Sequence, residues 1–494
     1  MFRVYRAVRR PSSSLSSPTD ALSPVRDLTS DKVTDVTAAR TVVIGGGIAG
    51  LEAARRCAER GDDVTLIESS AAVGGKLARH VVDGLCLDAG AESLLTRRPE
   101  GLQLISAAGR LPDLVNPATS GAGVWLDHLH RLPRQQLLGV PTDADDPDLS
   151  ALLGAAGVER LRHEPRLTQL IDPAHDMTVA ELVGGQLGTD VVDRLVEPLL
   201  GGVYAGRADQ ISVDAALPGL LEAVRRTGSV MAAAASMRGG SPGDGPPFAS
   251  VVGGLGSLPD SLVEACRLVV LTNTPAVELR RHGPSSGWTV VTDGDGELDA
   301  DRVIIALPGY AAAPLLGSVA PDAAVVASAL EYASVALVTT VFDADAVSAP
   351  LQGTGFLVPP VTGRLTKAAT FVTRKWQWVQ EAAPGREVLR FSVGRHGDAR
   401  GLDLPDDQLV KAVLDEVGGL LGLRGPPRAA AVTHWVRSLP QYRVGHRARV
   451  ARAREALPAG LAVAGAAWDG VGIPACVASG QNAADRVAGA DASG

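Results

Sequence analysis

Thr41-Val42-Val43-Ile44, four β-branched residues in a row, runs straight into Gly45-Gly46-Gly47-Ile48-Ala49-Gly50. Few backbones accommodate that junction. In the G-x-G-x-x-G spacing, Gly45 permits a tight turn out of a strand, and Gly47 lets a pyrophosphate approach the main chain. Gly50 lets the following helix pack closely on the strand. The apolar period predicts a helix to about Arg60 with Ile48, Leu51, Ala54 and Ala58 on its inner face, and Gly61 falls at the C′ position. Asp63–Ile67 then reads as a second strand ending at Glu68. An acid about twenty residues past the glycines accepts hydrogen bonds from a ribose, and its charge would repel a 2′-phosphate, which argues against NADP. The order of strand, glycines, helix, strand and acid points to a βαβ dinucleotide site.

Composition bounds the rest. The chain has 494 residues, 46% of them apolar, and a formal net charge of −8. That is too apolar for disorder and long enough for several folding units. No uninterrupted apolar run approaches the roughly 18–20 residues of a membrane-spanning helix. Val303–Pro308 and Val335–Phe342 read as buried strands. The acidic balance argues against nucleic acid as a partner. Cys57, Cys86, Cys266 and Cys476 are scattered, with no C-x-x-C pair, so no metal centre is expected and the thiols read as reduced and cytoplasmic. Residues 1–40 are basic and Ser/Pro-rich, with no acid before Asp20, and are expected to be a disordered extension; an organellar transit peptide has the same composition.

Beyond Glu68 come Gly74-Gly75-Lys76 and Asp88-Ala89-Gly90-Ala91-Glu92-Ser93. This continuation resembles the flavoprotein superfamily of amine oxidases, carotene desaturases and porphyrinogen oxidases, which implies tightly held FAD. No second fingerprint with strand and helix context follows, so oxygen or another protein is the expected electron acceptor. Leu461–Gly465 reads as a small strand, followed by Trp468-Asp469-Gly470-Val471-Gly472-Ile473-Pro474 and a helix from about Ala475 to Val487. Proline in a first turn suits a helix start, and the N-terminal N–H groups would face the pyrimidine end of the flavin. Ala249–Leu258 reads as a glycine-rich turn opening a helix, and Leu268–Val277 and Asp301–Pro308 read as strands. The expected fold is α/β, a Rossmann-type FAD-binding domain built from three discontinuous segments with an interleaved α+β substrate-binding domain. The flavin segments are placed at 41–98, 248–308 and 431–490, and the substrate segments at 99–247 and 309–430.

The resemblance narrows at Leu195-Val196-Glu197-Pro198-Leu199-Leu200-Gly201-Gly202-Val203-Tyr204-Ala205-Gly206, with Ser438–His446 and Leu126–Pro141 in support. These segments are similar to the bacterial oxygen-dependent porphyrinogen oxidases, over about Thr41 to Val487. Asp88-Ala89-Gly90 departs from the Gly-Pro-Asp that other members often carry. The resemblance implies FAD contacts from Gly45, Gly46, Gly47, Ile48, Ala49 and Gly50, from Glu68, Ser69 and Lys76, and from Gly90, Ala91, Glu92 and Ser93. Val277, Trp435, Val471, Gly472 and Ile473 complete the set, and Gly202 is the implied backbone contact to substrate. It further implies six-electron oxidation of a porphyrinogen to a porphyrin in haem biosynthesis, three O2 going to three H2O2. Coproporphyrinogen III is favoured over protoporphyrinogen IX because no membrane-spanning run is present.

No catalytic side chain is named, because the flavin carries the redox chemistry. The propionates require Arg or Lys partners that the sequence leaves unassigned. His128, His130, His434 and His446 show no ligand spacing and read as surface or core residues. Arg443, Arg447, Arg449, Arg452 and Arg454 read as a solvated helix face, with anionic lipid or the next pathway enzyme as the other reading. The rival functions are an amine oxidase or carotenoid desaturase, for which seventeen aromatic residues make an aromatic cage harder to build, and a flavin-binding scaffold without turnover. Nothing in the sequence gives an oligomeric state.

Overall fold

The computed structural model describes residues 38–166, 176–238, 246–283, 287–294 and 296–489. The extension expected over 1–40 therefore lies outside the described residues, except for its last three, and Arg40 already opens the first strand.

Five strands form a wholly parallel sheet in the order Val269–Leu271, Asp63–Ile67, Arg40–Ile44, Arg302–Ile305, Leu461–Val463. The chain thus returns to one sheet from three distant stretches. Its central strand is buried from Thr41 to Ile44, as a parallel strand covered on both faces requires. On one face lie the helices Ile48–Glu59 and Ile473–Gly489. On the other lie a three-stranded antiparallel sheet (Ala276–Arg281, Trp288–Thr292, Glu297–Ala300) and the helices Gly309–Leu316 and Pro321–Ser328.

The second body is a seven-stranded sheet in the order Ala429–Pro440, Tyr332–Asp343, Arg386–Val393, Thr366–Phe371, Gly355–Leu357, Gly123–Trp125, Leu129–Arg131. All neighbours are antiparallel except Gly355–Leu357 with Gly123–Trp125. A helical layer over 149–162 and 179–237 carries its own core, including Leu195, Leu200 and Tyr204. This is the expected α/β architecture.

Several sequence expectations shift. The helix after the glycines is not one-faced: Ala49, Ala53 and Cys57 are buried besides the expected stripe, because the C-terminal helix covers a second side. Residues 248–251 are a strand pairing with Leu94–Leu95 and Leu114–Val115, and the helix starts only at Leu258. Leu268–Val277 is two strands, Val269–Leu271 and the start of Ala276–Arg281, broken where Asn273 takes φ +53°. The boundary placed between 430 and 431 falls inside the strand Ala429–Pro440. The one placed between 308 and 309 precedes two helices that pack with the parallel sheet.

Candidate functional site

Two glycines of the loop are held to their residue type by close contacts, and a third is not. Gly45 has φ +107°, and a Cβ there would lie 2.7 Å from the Ala306 carbonyl oxygen. A Cβ on Gly50 would sit 1.9 Å from the Gly45 oxygen. A Cβ on Gly47 would meet no protein atom within 4 Å, so the protein itself makes no demand for glycine there. The space left open there is where a ligand can approach the main chain. Gly47 is also the N-cap of the helix Ile48–Glu59, so the unsatisfied N–H groups of a helix start face that open space.

Glu68 closes the loop. Its Oε2 accepts the Gly46 N–H at 2.7 Å, and its Oε1 accepts the Ser70 N–H at 2.7 Å and the Ser69 hydroxyl at 3.2 Å. The Thr274 N–H donates to the Glu68 carbonyl and the Asn273 N–H to that of Ser70, which brings the start of the next strand, with Val277 53% exposed, alongside the acid. Gly74 donates to the Gly46 carbonyl at 2.7 Å, and a Cβ on Gly75 would lie 3.4 Å from the Gly47 Cα, so the second glycine pair walls the same opening. Lys76 follows with its side chain in reach of solvent, yet the protein around it lowers its ammonium, as expected of a group lining a cleft.

The distal pieces converge from the other side. Ala91 N–H donates to the Lys76 carbonyl at 3.2 Å, and the Trp435 indole N–H donates to the Ala89 carbonyl at 2.9 Å with its ring against Gly90. Strand pairing passes from Ala333–Leu439 directly to Val335–Trp435, a bulge just after the tryptophan that fixes where its ring points. The C-terminal helix begins at Ile473, after Gly472 at φ +101°, where again a Cβ would meet nothing within 4 Å. Gly480 lets that helix lie against the first one, since a Cβ there would be 2.3 Å from the Ala49 oxygen. Gly480 is about two turns into its helix, so the start at Ile473 lies on the order of 10 Å along from the start of the first helix at Ile48. The Glu92 side chain points elsewhere: it is buried between Lys375 Nζ at 2.6 Å and Arg390 Nη2 at 2.5 Å. Any part of Glu92 in the groove is played by its backbone. Ser93 is half-buried just before Leu94, which packs with Ile473 in one core.

Asp88 sits behind this wall, 8% exposed, accepting the Leu255 N–H at 3.1 Å and the Gly256 N–H at 2.8 Å. Burial pushes its carboxyl up to about 6, against the opposing pull of the Gly256 N–H and Arg390. A carboxyl raised in the folded state subtracts stability as pH climbs from about 4 to about 6, because only the unfolded chain ionises freely there. Asp88→Asn removes that term. Its thermal midpoint relative to the parent is therefore expected to improve between about pH 4 and pH 7, as thermal scans across that range would show. A difference that stays flat would refute the buried-carboxyl assignment.

A helix N-terminus without a side-chain cap, a glycine whose missing Cβ leaves open space beside it, and an acid closing the loop fit a long anionic dinucleotide such as FAD. The whole-chain comparisons agree. A family model described as flavin containing amine oxidoreductase matches residues 48–488. The chain belongs to this family. The enzyme is accordingly an FAD-dependent oxidoreductase. It is 35% identical over 452 residues to the coproporphyrinogen III oxidase of Mycobacterium tuberculosis (strain ATCC 25618 / H37Rv), covering 90% of this chain and 96% of that one. It is 32% identical over 464 residues to the Bacillus subtilis (strain 168) protein of the same name, covering 90% and 96%. A crystal structure from Exiguobacterium sp. 255-15, proposed to be a protoporphyrinogen oxidase, superposes with TM-score 0.79 at 32% identity, covering 91% of this chain and 98% of that one.

Elsewhere, Gly202 is exposed on the helix Glu197–Tyr204, whose Tyr204 ring meets Tyr442 edge-on at 5.7 Å. The Tyr442 hydroxyl donates to the Ala466 carbonyl, and Val471 packs on the same core as Tyr204. The implied substrate contact and the end of the flavin groove are therefore joined by packed side chains. His128 and His130 both pair with Asp127, at 3.0 and 2.7 Å, and His434 pairs with Asp406 at 2.8 Å. His446 is 2% exposed and stacked on Tyr442, and burial drops it to about 4, so it stays neutral. The basic run is largely stitched to neighbours: Arg443 to Glu331, Arg447 to Asp214 and Arg454 to Asp469. Among the described residues no helix is long and apolar enough to cross a membrane. Lys367 and Arg395, both buried, went unnoticed in the sequence.

Proposed function

We propose that this flavoenzyme oxidises coproporphyrinogen III to coproporphyrin III in the cytoplasm, with O2 as acceptor and H2O2 as the second product. The reading is carried by near-full-length similarity to proteins named coproporphyrinogen III oxidase, at 31–35% identity in Mycobacterium, Bacillus and Propionibacterium. FAD would be held by the main chain of Gly45 to Gly50, by Glu68 and Ser69 near Val277 at the adenosine end, and by Lys76, Gly90 to Ser93, Trp435 and Val471 to Ile473 towards the ring. When bound, it supplies the capacity to take an electron pair with a proton from carbon and to pass the electrons to O2. The chain's own task is to seat the macrocycle against the ring, with Gly202 on the substrate side, and to keep bulk water out. The segments that complete the parallel sheet form the flavin side, and the seven-stranded sheet with its helical layer forms the substrate side.

Aerobic incubation with coproporphyrinogen III is expected to give porphyrin fluorescence with three H2O2 per porphyrin, and anaerobic mixing should bleach the visible flavin band. Fluorescence no faster than autoxidation would sink the proposal. The second reading is protoporphyrinogen IX, favoured by 28% identity to the Bos taurus protoporphyrinogen oxidase. Side-by-side rates on the two porphyrinogens decide between them.

A further inference from the structure

Lys367 occupies a position where a lysine is costly. Its strand, Thr366–Phe371, pairs with Arg386–Val393, but Thr366 faces Val393 while Ala368 faces Ser392. Lys367 is the extra residue of a β-bulge, a device that re-aims a side chain and is common beside functional sites. Here it turns the side chain inward: Lys367 is 4% exposed, and Arg395, two residues beyond the neighbouring strand, is 7% exposed. Arg395 Nη2 donates to the Val358 carbonyl at 2.6 Å, and its buried Nε has no partner.

Among the described residues neither cation pairs with a carboxylate. The acids whose fields reach Arg395 are all committed elsewhere. Glu197 accepts the Ala208 N–H, Glu416 accepts those of Leu365 and Thr366, and Asp398 pairs with Arg400. Burial and the Arg395 charge lower the Lys367 ammonium to about 7. Two buried positive groups without a counter-ion are expensive, and in a chain of net charge −8 an internal partner was easily available.

The helix that packs over them lacks side chains where it faces them. The helix Glu197–Tyr204 roofs the pair with two consecutive residues that lack side chains. A Cβ on Gly201 would be 3.9 Å from Lys367 Cδ and 4.0 Å from Arg395 Nε, and one on Gly202 would meet only Leu357, at 3.6 Å. Gly202 is exposed and Gly201 buried, so a bare strip of helix leads from the surface down to the cations. Tyr204, on the order of 5 Å further along the helix axis, is the residue that touches Tyr442.

We infer that Lys367 and Arg395 bind a carboxylate of the substrate, holding one propionate of the tetrapyrrole beneath the Gly201–Gly202 strip. This rests on the porphyrinogen reading above. A carboxylate there supplies the missing counter-charge and accepts the Arg395 Nε–H. The pair orients the macrocycle and takes no part in electron transfer.

The test uses the holoenzyme, with coproporphyrin III and its tetramethyl ester as probes, their binding read from perturbation of the flavin spectrum. The parent is expected to prefer the acid. Lys367→Met should lose about tenfold or more in affinity for the acid while binding the ester unchanged, and Lys367→Arg should restore the preference. With coproporphyrinogen III, Lys367→Met should raise KM by a similar factor and leave kcat within about twofold, with full flavin content. Its ligand-free thermal midpoint should not fall, since an apolar side chain replaces an unpaired buried cation. Unchanged acid binding in Lys367→Met, or equal losses for acid and ester, would overturn the inference while leaving turnover, and the parent reading, intact. A parent enzyme inactive on both porphyrinogens would remove both.

Discussion

Gly47→Val is expected to yield a folded, colourless protein. Gly47 has φ −68° and ψ 170°, an extended conformation open to any residue, and a Cβ there meets no protein atom within 4 Å. Folding should tolerate the substitution. The ligand should not, because the two added methyl groups occupy the path by which a pyrophosphate reaches the N–H groups at the helix start. FAD affinity is expected to fall by at least about a hundredfold, roughly 3 kcal/mol. Flavin absorbance per chain after gel filtration measures this directly. Thermal midpoints with and without added FAD give a second readout, since a ligand that binds only the native state raises the midpoint by mass action and the variant should lose that response. Gly50→Val is the contrasting control. A Cβ there would lie 1.9 Å from the Gly45 carbonyl oxygen, so this variant should fail to fold rather than fail to bind. A yellow Gly47→Val protein with full flavin content would rule out the cofactor placement.

The loop could be read from sequence because its constraints are local: each glycine answers to an atom within one βα turn, or to the ligand itself. What depends on distant pairing was not legible. The helix Ile48–Glu59 looked one-faced because its second partner enters from Gly480, whose missing side chain permits contact with Ala49. Glu52, outside the stripe expected to face inward, is 1% exposed, with Arg55 and Gln481 binding its carboxylate. Leu268–Val277 read as one strand although Thr272-Asn273-Thr274-Pro275 in its middle has the composition of a turn, and there the chain passes from one sheet to the other. Lys367 is the sharpest case. Whether it points inward is decided by a register slip against Val393 and Ser392, which no period within its own strand encodes. The resemblance supplied Trp435 and Glu92 together, yet the geometry gives them different work: the indole bonds to Ala89 beside Gly90, while the carboxylate turns away to two cations.

That carboxylate carries the largest expected stability effect. Glu92 lies at the junction of the two bodies, on the segment that walls the flavin groove, and its partners Lys375 and Arg390 belong to the seven-stranded side. Glu92→Ala leaves Lys375 and Arg390, largely shielded from solvent, without their carboxylate, and removing one member of a buried ionic group costs about 3–5 kcal/mol. That is a large share of a total folding stability of about 5–15 kcal/mol, and in a chain of this length the thermal midpoint should fall by about 3–5 °C. Burial alone would raise the Glu92 carboxyl, but Arg390 and Lys375 outweigh it and hold the group below the usual carboxylate range. A group depressed in the folded state contributes its full stability above the unfolded value, near 4.5, and loses it as pH falls through the lower folded one. The deficit of Glu92→Ala should therefore be greatest at neutral pH and shrink in acid, where the parent forfeits the same interaction. Replacing all three residues together by apolar ones of similar size should recover most of the loss, because the penalty arises from orphaned charge and not from missing packing. Equal midpoints for Glu92→Ala and the parent at neutral pH would mean that this ionic group adds nothing to a junction that Asp83 also bridges, to Arg386 and Arg428.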